Sequence, residues 1–244
     1  MYPIRGDASG RAPGRVPFAP EMSVPFLRVA HRGFAAVAEE NSIAAIKGAL
    51  EMGCDEIELD VRRSVDGRIV LHHDDGNAPG APLLRDALAV IGQAKAGIML
   101  DLKQGGMAEA IARMLDEHAN GRRVIASGAT HEVLRLKQMR PHILAGRTWP
   151  PTTAAGIPFL EHAMGAMRRA QLPGTIDRLL EGFDLLVAHH RSISPRVVAA
   201  CHVRQRLVYA WTIDDPRRIE LLGTWGVDGV ISDHPSSFGL AHVL

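Results

Sequence analysis

The sequence predicts an α/β fold, a single (β/α)8 TIM-type barrel, on three observations: a length of 244 residues, eight short apolar runs of β type, and helix-like stretches between successive runs. A length of about 250 residues is usual for eight strand–helix units. The runs are Leu27–Ala30, Glu56–Val61, Ile98–Leu102, Val124–Ser127, Ile143–Gly146, Leu185–Ala188, Leu207–Trp211 and Gly229–Ser232. Stretches with a helical apolar period separate them, among them Ser42–Glu51, Met107–His118, His131–Gln138, Pro195–Cys201 and Pro216–Leu222. Strands that alternate with helices run parallel through right-handed crossovers, and eight of them close naturally into a barrel. A doubly wound open sheet is the architectural alternative.

Three segments stand outside this rhythm. Residues 1–25 hold five prolines and three glycines with little periodicity, so they read as a flexible leader ahead of a barrel domain over 26–244. Between the second and third runs, Arg68–Leu71 is an additional β-like piece that ends in His72-His73-Asp74-Asp75. Residues 150–182 exceed what one crossover helix requires. Pro150-Pro151 and Pro173-Gly174 divide them, which predicts two helical pieces serving either as a lid or as a surface elaboration.

Composition narrows the function. A hydrophobic content of 46% supports a large core that needs no metal or disulfide merely to fold. The net charge is +1, with Lys and Arg scattered, which argues against nucleic acid as a partner. Cys54 and Cys201 are far apart and in no metal-ligand spacing, so they read as reduced, partly buried thiols. No apolar run approaches the roughly 20 residues of a membrane span. Arg5, Arg11 and Arg15 precede no apolar stretch of signal-peptide type. The expectation is a soluble cytoplasmic protein acting on a small molecule, with homo-oligomerisation left open.

In a barrel of this type the active site lies at the C-terminal ends of the strands. The first run ends in His31-Arg32-Gly33. In the second, Glu58 and Asp60 are two apart and share a face, with Glu56 further down. The third places Asp101 and Lys103 on one face, the seventh ends in Trp211-Thr212, and the eighth in Ser232-Asp233-His234. Acidic side chains in a barrel mouth are costly unless paired or ligating a metal. Glu58, Asp60 and Asp101 suit a hard cation that takes oxygen ligands, Mg2+ or Ca2+ rather than Zn2+. Pairing with Arg32, Arg62 or Lys103 is the purely structural alternative.

These residues resemble a known family. His31-Arg32-Gly33, Glu40-Asn41, Glu56-Ile57-Glu58-Leu59-Asp60-Val61, Asp66-Gly67 and Val70-Leu71-His72-His73-Asp74 are similar to the serial motifs of glycerophosphodiester phosphodiesterases. Leu100-Asp101-Leu102-Lys103, Ala210-Trp211-Thr212 and the stretch from Gly226 to Pro235 continue them in the same order. The resemblance implies metal-dependent hydrolysis of a glycerophosphodiester to glycerol 3-phosphate and an alcohol. It further implies that His31 and His73 form the acid/base pair and that Arg32 binds phosphoryl oxygens. By the same resemblance Glu58, Asp60 and Asp101 hold one divalent cation, Lys103 supports the phosphate and Trp211 lines the glycerol pocket. Both attack by water and attack by a glycerol hydroxyl, giving a cyclic phosphate, are compatible with this set.

Other residues have two readings each. His72 alternates away from His73. His189-His190 either line the site or are solvated at a loop start, and Glu40 either orients Arg32 or belongs to the first turn of a helix begun by Asn41. Two departures from the family pattern stand out: the third acidic ligand is usually Glu where this chain has Asp101, and the stretch from Asp75 to Leu83 is short. The shorter carboxylate predicts a shifted cation or one bound through a water, and the short stretch removes a segment that helps recognise substrate. A sphingomyelinase-D-like phospholipase and a non-catalytic phosphate- or metal-binding barrel are the alternative readings.

Overall fold

The alternation of apolar and charged residues along Glu56–Arg63 has a simple physical outcome: Ile57, Leu59 and Val61 are fully buried against helices, while Glu56, Glu58 and Asp60 face the other way. That second face is the interior of a closed barrel. The computed structural model describes residues 26–76, 78–119, 121–150 and 170–238. The predicted leader, and most of the predicted insertion after Pro150, lie outside the described residues.

The strands are β1 (Leu27–Ala30), β2 (Glu56–Arg63), β3 (Ile69–Leu71), β4 (Gly97–Leu102), β5 (Val124–Gly128), β6 (Leu144–Trp149), β7 (Leu185–His189), β8 (Leu207–Trp211) and β9 (Gly229–Ser232). All except β3 pair in parallel, in the order β1-β9-β8-β7-β6-β5-β4-β2, and the β1–β2 pairing closes the ring. The eight predicted runs are these eight parallel strands, so the closed barrel prevails over the open sheet. The additional piece after the second run is β3, which pairs antiparallel to β2 as a hairpin (Val61 opposite Leu71) and so delivers the following histidines to the barrel rim.

The helices between strands are α1 (Ile43–Glu51), α2 (Leu84–Ile91), α3 (Ala108–His118), α4 (Thr130–Met139), α5 (Ile176–Leu179), α6 (Pro195–His202) and α7 (Pro216–Thr224). Of these, α2 was not among the predicted stretches, although Leu84, Ala87, Leu88 and Ile91 form a buried stripe at helical spacing. The expected Asn41 start of α1 is corrected to Ser42, whose hydroxyl accepts from the Ala45 N–H at 3.0 Å. Buried Glu132 on α4 accepts from the backbone N–H groups of Gly106, Met107 and Ala108, which satisfies the otherwise unpaired donors at the start of α3.

Two apolar layers result. The larger lies between the barrel wall and the helices, and includes both free cysteines, Cys54 and Cys201. The smaller fills the barrel interior with Val29, Met99, Ile125, Leu185, Val187, Tyr209 and Ile231. Below it, Glu56 pairs with Arg123 at 2.8 Å, and Arg123 donates to the Tyr209 hydroxyl at 3.1 Å. Glu56 is therefore part of the barrel floor, and only Glu58 and Asp60 rise to the mouth. Among the described residues no helix is long and apolar enough to cross a membrane.

Candidate active site

Strand register decides which side chains meet at the mouth. Asp60 on β2 stands opposite Asp101 on β4, and Asp101 stands opposite Ser127 on β5. Since parallel neighbours in register point to the same side, Asp60 and Asp101 become adjacent without any loop being involved. Glu58 lies one inward position below Asp60. One oxygen from each of Glu58, Asp60 and Asp101 lies within 4.8 Å of the others.

Positive side chains are threaded through this cluster. The Lys103 ammonium is 2.7 Å from Asp60 and 2.5 Å from Asp101. The Arg32 guanidinium forms an ion pair with Asp60, its Nε 2.9 Å from the carboxylate, and donates a hydrogen bond through Nη1 to Glu40 at 2.6 Å. Glu40 thus orients Arg32, as one of its two readings had it. Arg32 sits at φ +53°, and its backbone N–H donates to Glu58 at 2.9 Å. The next residue must be glycine: Gly33 has φ +81°, and a Cβ there would stand 2.7 Å from the backbone of Ala45. Asn41 braces the same carboxylate from behind, donating to Asp60 Oδ2 at 3.0 Å and accepting from the Asp60 N–H at 3.0 Å.

The electrostatics follow from burial and from the count of partners. Burial pushes the Glu58 carboxyl up to about 7, and the charge of Asp60 pushes it the same way. Asp60 is also penalised by burial, yet Lys103 and Arg32 hold its carboxyl below the usual range. Burial works against protonated His31, but its hydrogen bond to Asp233 and the charge of Glu58 outweigh it, leaving the imidazole above its ordinary value. Three carboxylates therefore face two permanent cations, and Glu58 is the one left without a full counter-charge. A divalent cation fits that deficit and that all-oxygen donor set. The predicted alternatives coexist here: the acidic residues are paired with Arg32 and Lys103, and they are also clustered closely enough to share an ion.

Both predicted histidines line one cavity of about 120 Å3, together with Arg32, Glu58, Asp101, Lys103 and Trp211. His31 Nδ1 lies 2.6 Å from Asp233 Oδ1, and its Nε2 lies 3.9 Å from Glu58. His73 follows β3 and bonds through Nδ1 to Asp74 at 2.8 Å. Arg62 holds this loop by donating to the His73 carbonyl at 3.0 Å. His72 is absent from the cavity lining, in keeping with the alternation argument. The Trp211 indole donates to the Val187 carbonyl at 3.0 Å and packs edge-on against His189. His190 is turned to a separate groove; burial and the neighbouring His189 and Arg218 bring its pKa down to about 3.

Three contributors had no assigned role beforehand. Local rules make Asn41 a helix start, Ser127 belongs to no motif, and Asp233 is visible in the sequence only as a strand-end residue. A signal for Asp233 was present: it continues the inward alternation of Gly229 and Ile231 along β9.

Histidines beside an acidic cluster on the C-terminal rim of a (β/α)8 barrel define an enzyme-type site with donors that suit a divalent cation. The glycerophosphoryl diester phosphodiesterase family pattern matches residues 31–86 and 85–237, and the chain belongs to that family. Similar curated proteins include the glycerophosphodiester phosphodiesterase of Caldanaerobacter subterraneus subsp. tengcongensis, 27% identical over 86% of this chain and 95% of that protein. That of Bacillus altitudinis is 26% identical over 84% of this chain and 94% of its own length. Among solved structures, an Oleispira antarctica phosphodiesterase in complex with the product sn-glycerol-3-phosphate superposes with a TM-score of 0.69. It is 24% identical, and the match covers 87% of this chain and 96% of the other.

Proposed function

We propose that the chain hydrolyses a glycerophosphodiester to glycerol 3-phosphate and an alcohol, using Glu58, Asp60 and Asp101 to hold a divalent cation, Mg2+ or Ca2+, and His31 and His73 for proton transfer. The observation that carries this reading is the convergence of both histidines, Glu58, Asp101 and two cationic side chains on one cavity, with Asp60 clustered against the two carboxylates. The product bound by the Oleispira relative supports the substrate class.

A phosphodiester anion repels nucleophiles, so its hydrolysis needs positive charge at the non-bridging oxygens and a proton for the departing alkoxide. When bound, the cation supplies Lewis-acid polarisation of a phosphoryl oxygen. Arg32 lines the cavity and has N–H donors beyond the one bonded to Glu40, which are available to a phosphate. Lys103 lies beside Asp101 at the same wall and adds charge without moving. Histidine suits both proton steps because its ordinary pKa of about 6.5 lies near working pH. One imidazole takes the proton of the attacking oxygen and the other delivers a proton to the leaving oxygen; the attacker is water, or a glycerol hydroxyl whose cyclic phosphate water then opens. Trp211, fixed through its indole N–H, presents an apolar wall for the carbon chain of the glycerol arm.

The test is turnover of a panel of deacylated phospholipids with Mg2+ or Ca2+, before and after chelation. Turnover should vanish in the chelator and return with added metal. His31→Ala and His73→Ala should each lower kcat by roughly 10²–10⁴ while the fold is retained. Normal rates in both folded variants would refute the site.

A further inference from the structure

Most of the acceptors around the cavity are spoken for, but one carboxylate outside it has a bond that the reaction as described does not use. Asp233 does not line the cavity; its side chain is 39% exposed, yet its Oδ1 stands 2.6 Å from the Nδ1 of His31, the shortest contact that His31 makes. Asp233 is itself fixed from behind. Asp214, on the loop after β8, accepts at a single oxygen from the Ser232 hydroxyl at 2.7 Å, the Asp233 N–H at 2.9 Å and the His234 N–H at 3.3 Å. The backbone closes the circuit, since the His31 N–H donates to the Ser232 carbonyl at 2.9 Å. Loops following β1, β8 and β9 are thereby tied at one point.

From this geometry we infer that Asp233 is the positioning residue for His31 and that Asp214 pins the turn that carries Asp233. The chemical reason is the tautomer. A carboxylate can only accept, so the His31 nitrogen facing Asp233 carries the hydrogen, and Nε2 is the nitrogen that remains to exchange a proton with substrate. The same bond fixes the ring plane, which matters because proton transfer needs heavy atoms within about 3 Å in line. His73 lacks an equivalent device: its partner Asp74 is its own neighbour in sequence, and both are exposed. The two histidines thus differ in how firmly each is aimed.

The inference rests on His31 acting in proton transfer, and the experiment separates the two. Wild type, Asp233→Asn, Asp233→Glu, Asp214→Asn, His31→Ala and the double variant His31→Ala/Asp233→Asn are compared as metal-loaded enzyme on one glycerophosphodiester. Enzyme concentration is raised for the slow variants. Asparagine is isosteric but can turn an N–H toward His31, so Asp233→Asn should lower kcat roughly 10–100-fold, the usual cost of losing an orienting partner. KM and metal affinity should stay unchanged, since Asp233 touches neither cavity nor acidic trio. Asp233→Glu should recover part of the loss, and Asp214→Asn should show a smaller loss of the same kind. The decisive reading is the double variant: with the imidazole gone, Asp233→Asn should cost nothing further. An equal loss in the His31→Ala background, or an unchanged kcat in folded Asp233→Asn, overturns the role of Asp233. Should Asp233→Asn fail to fold, Asp214→Asn combined with His31→Ala carries the same test. Full turnover in His31→Ala would instead refute the role of His31 itself.

Discussion

Asn41 is the position at which a single small change should reveal how the carboxylates proposed to bind metal are held. It is buried, sits at φ +58°, and makes two bonds to Asp60, one to the carboxylate and one from the backbone N–H, each 3.0 Å long. In Asn41→Ala the Asp60 N–H is left buried without a partner, at a cost of about 1–3 kcal/mol, and a hydrogen bond to a charged group worth about 1.5–3 kcal/mol is lost. Alanine is also less at ease than asparagine in the left-handed region, by about 1–2 kcal/mol. Arg32 and Lys103 still hold the carboxylate and moderate the middle quantity, so the expected loss is about 3–6 kcal/mol. For a chain of this size each kcal/mol moves Tm by about 2–4 °C, which places the drop at roughly 6–24 °C by calorimetry. Metal affinity, read by isothermal titration, should fall in the same variant because Asp60 is no longer aimed. Asn41→Asp keeps the acceptor and the backbone tolerance but removes the donor and sets a second carboxylate against Asp60, so its loss combines the donated bond with like-charge repulsion. A Tm within about 2 °C of wild type in Asn41→Ala would show that Arg32 and Lys103 suffice, and that the brace is dispensable.

Three further outcomes follow from the same geometry. Gly128 has φ +92°, and a Cβ there would stand 2.4 Å from the Leu102 carbonyl and 2.5 Å from Asp101 Oδ1; Gly128→Ala should weaken metal binding as well as lower Tm, and a loss of Tm alone would show that Asp101 does not move. Asp101→Ala should abolish tight metal binding while Asp101→Glu retains it, and an unchanged titration in the alanine variant would remove Asp101 from the ligand set. Glu58 is raised to about 7 without metal, so the folded state holds a proton between its ordinary value and 7 that the unfolded chain has released. Metal-free stability from this group is then present at low pH and lost as pH rises through 7; ion binding, which needs the carboxylate charged, should release that proton near pH 6, and calorimetry giving the same heat in buffers of different ionisation enthalpy would contradict it.

The sequence by itself determined the barrel and most of its rim. Eight β-type runs separated by helical patterns leave little topological choice once crossovers are right-handed, and period-two alternation in Glu56–Val61 already sorts outward Ile57, Leu59 and Val61 from inward Glu58 and Asp60. Glu58, Asp60 and Asp101 were legible as acidic positions on such runs, whereas the roles given to His31 and His73 came from the family resemblance. What alternation cannot supply is register. That Asp60 faces Asp101, and that Lys103 lies between them, depends on how β2 and β4 slide past one another, which tertiary packing sets. Helix α2 carries its stripe over only eight residues, and its N-cap, Leu83, offers no side-chain capping signal to mark the start. Asn41 looked like a cap because local rules favour Asn at helix starts, whereas its actual partner, Asp60, lies 19 residues on. His31 and Asp233 are 202 residues apart and meet only because β9 returns to pair with β1. Local chemistry is written residue by residue, but contacts that close the ring exist only once the ring has closed.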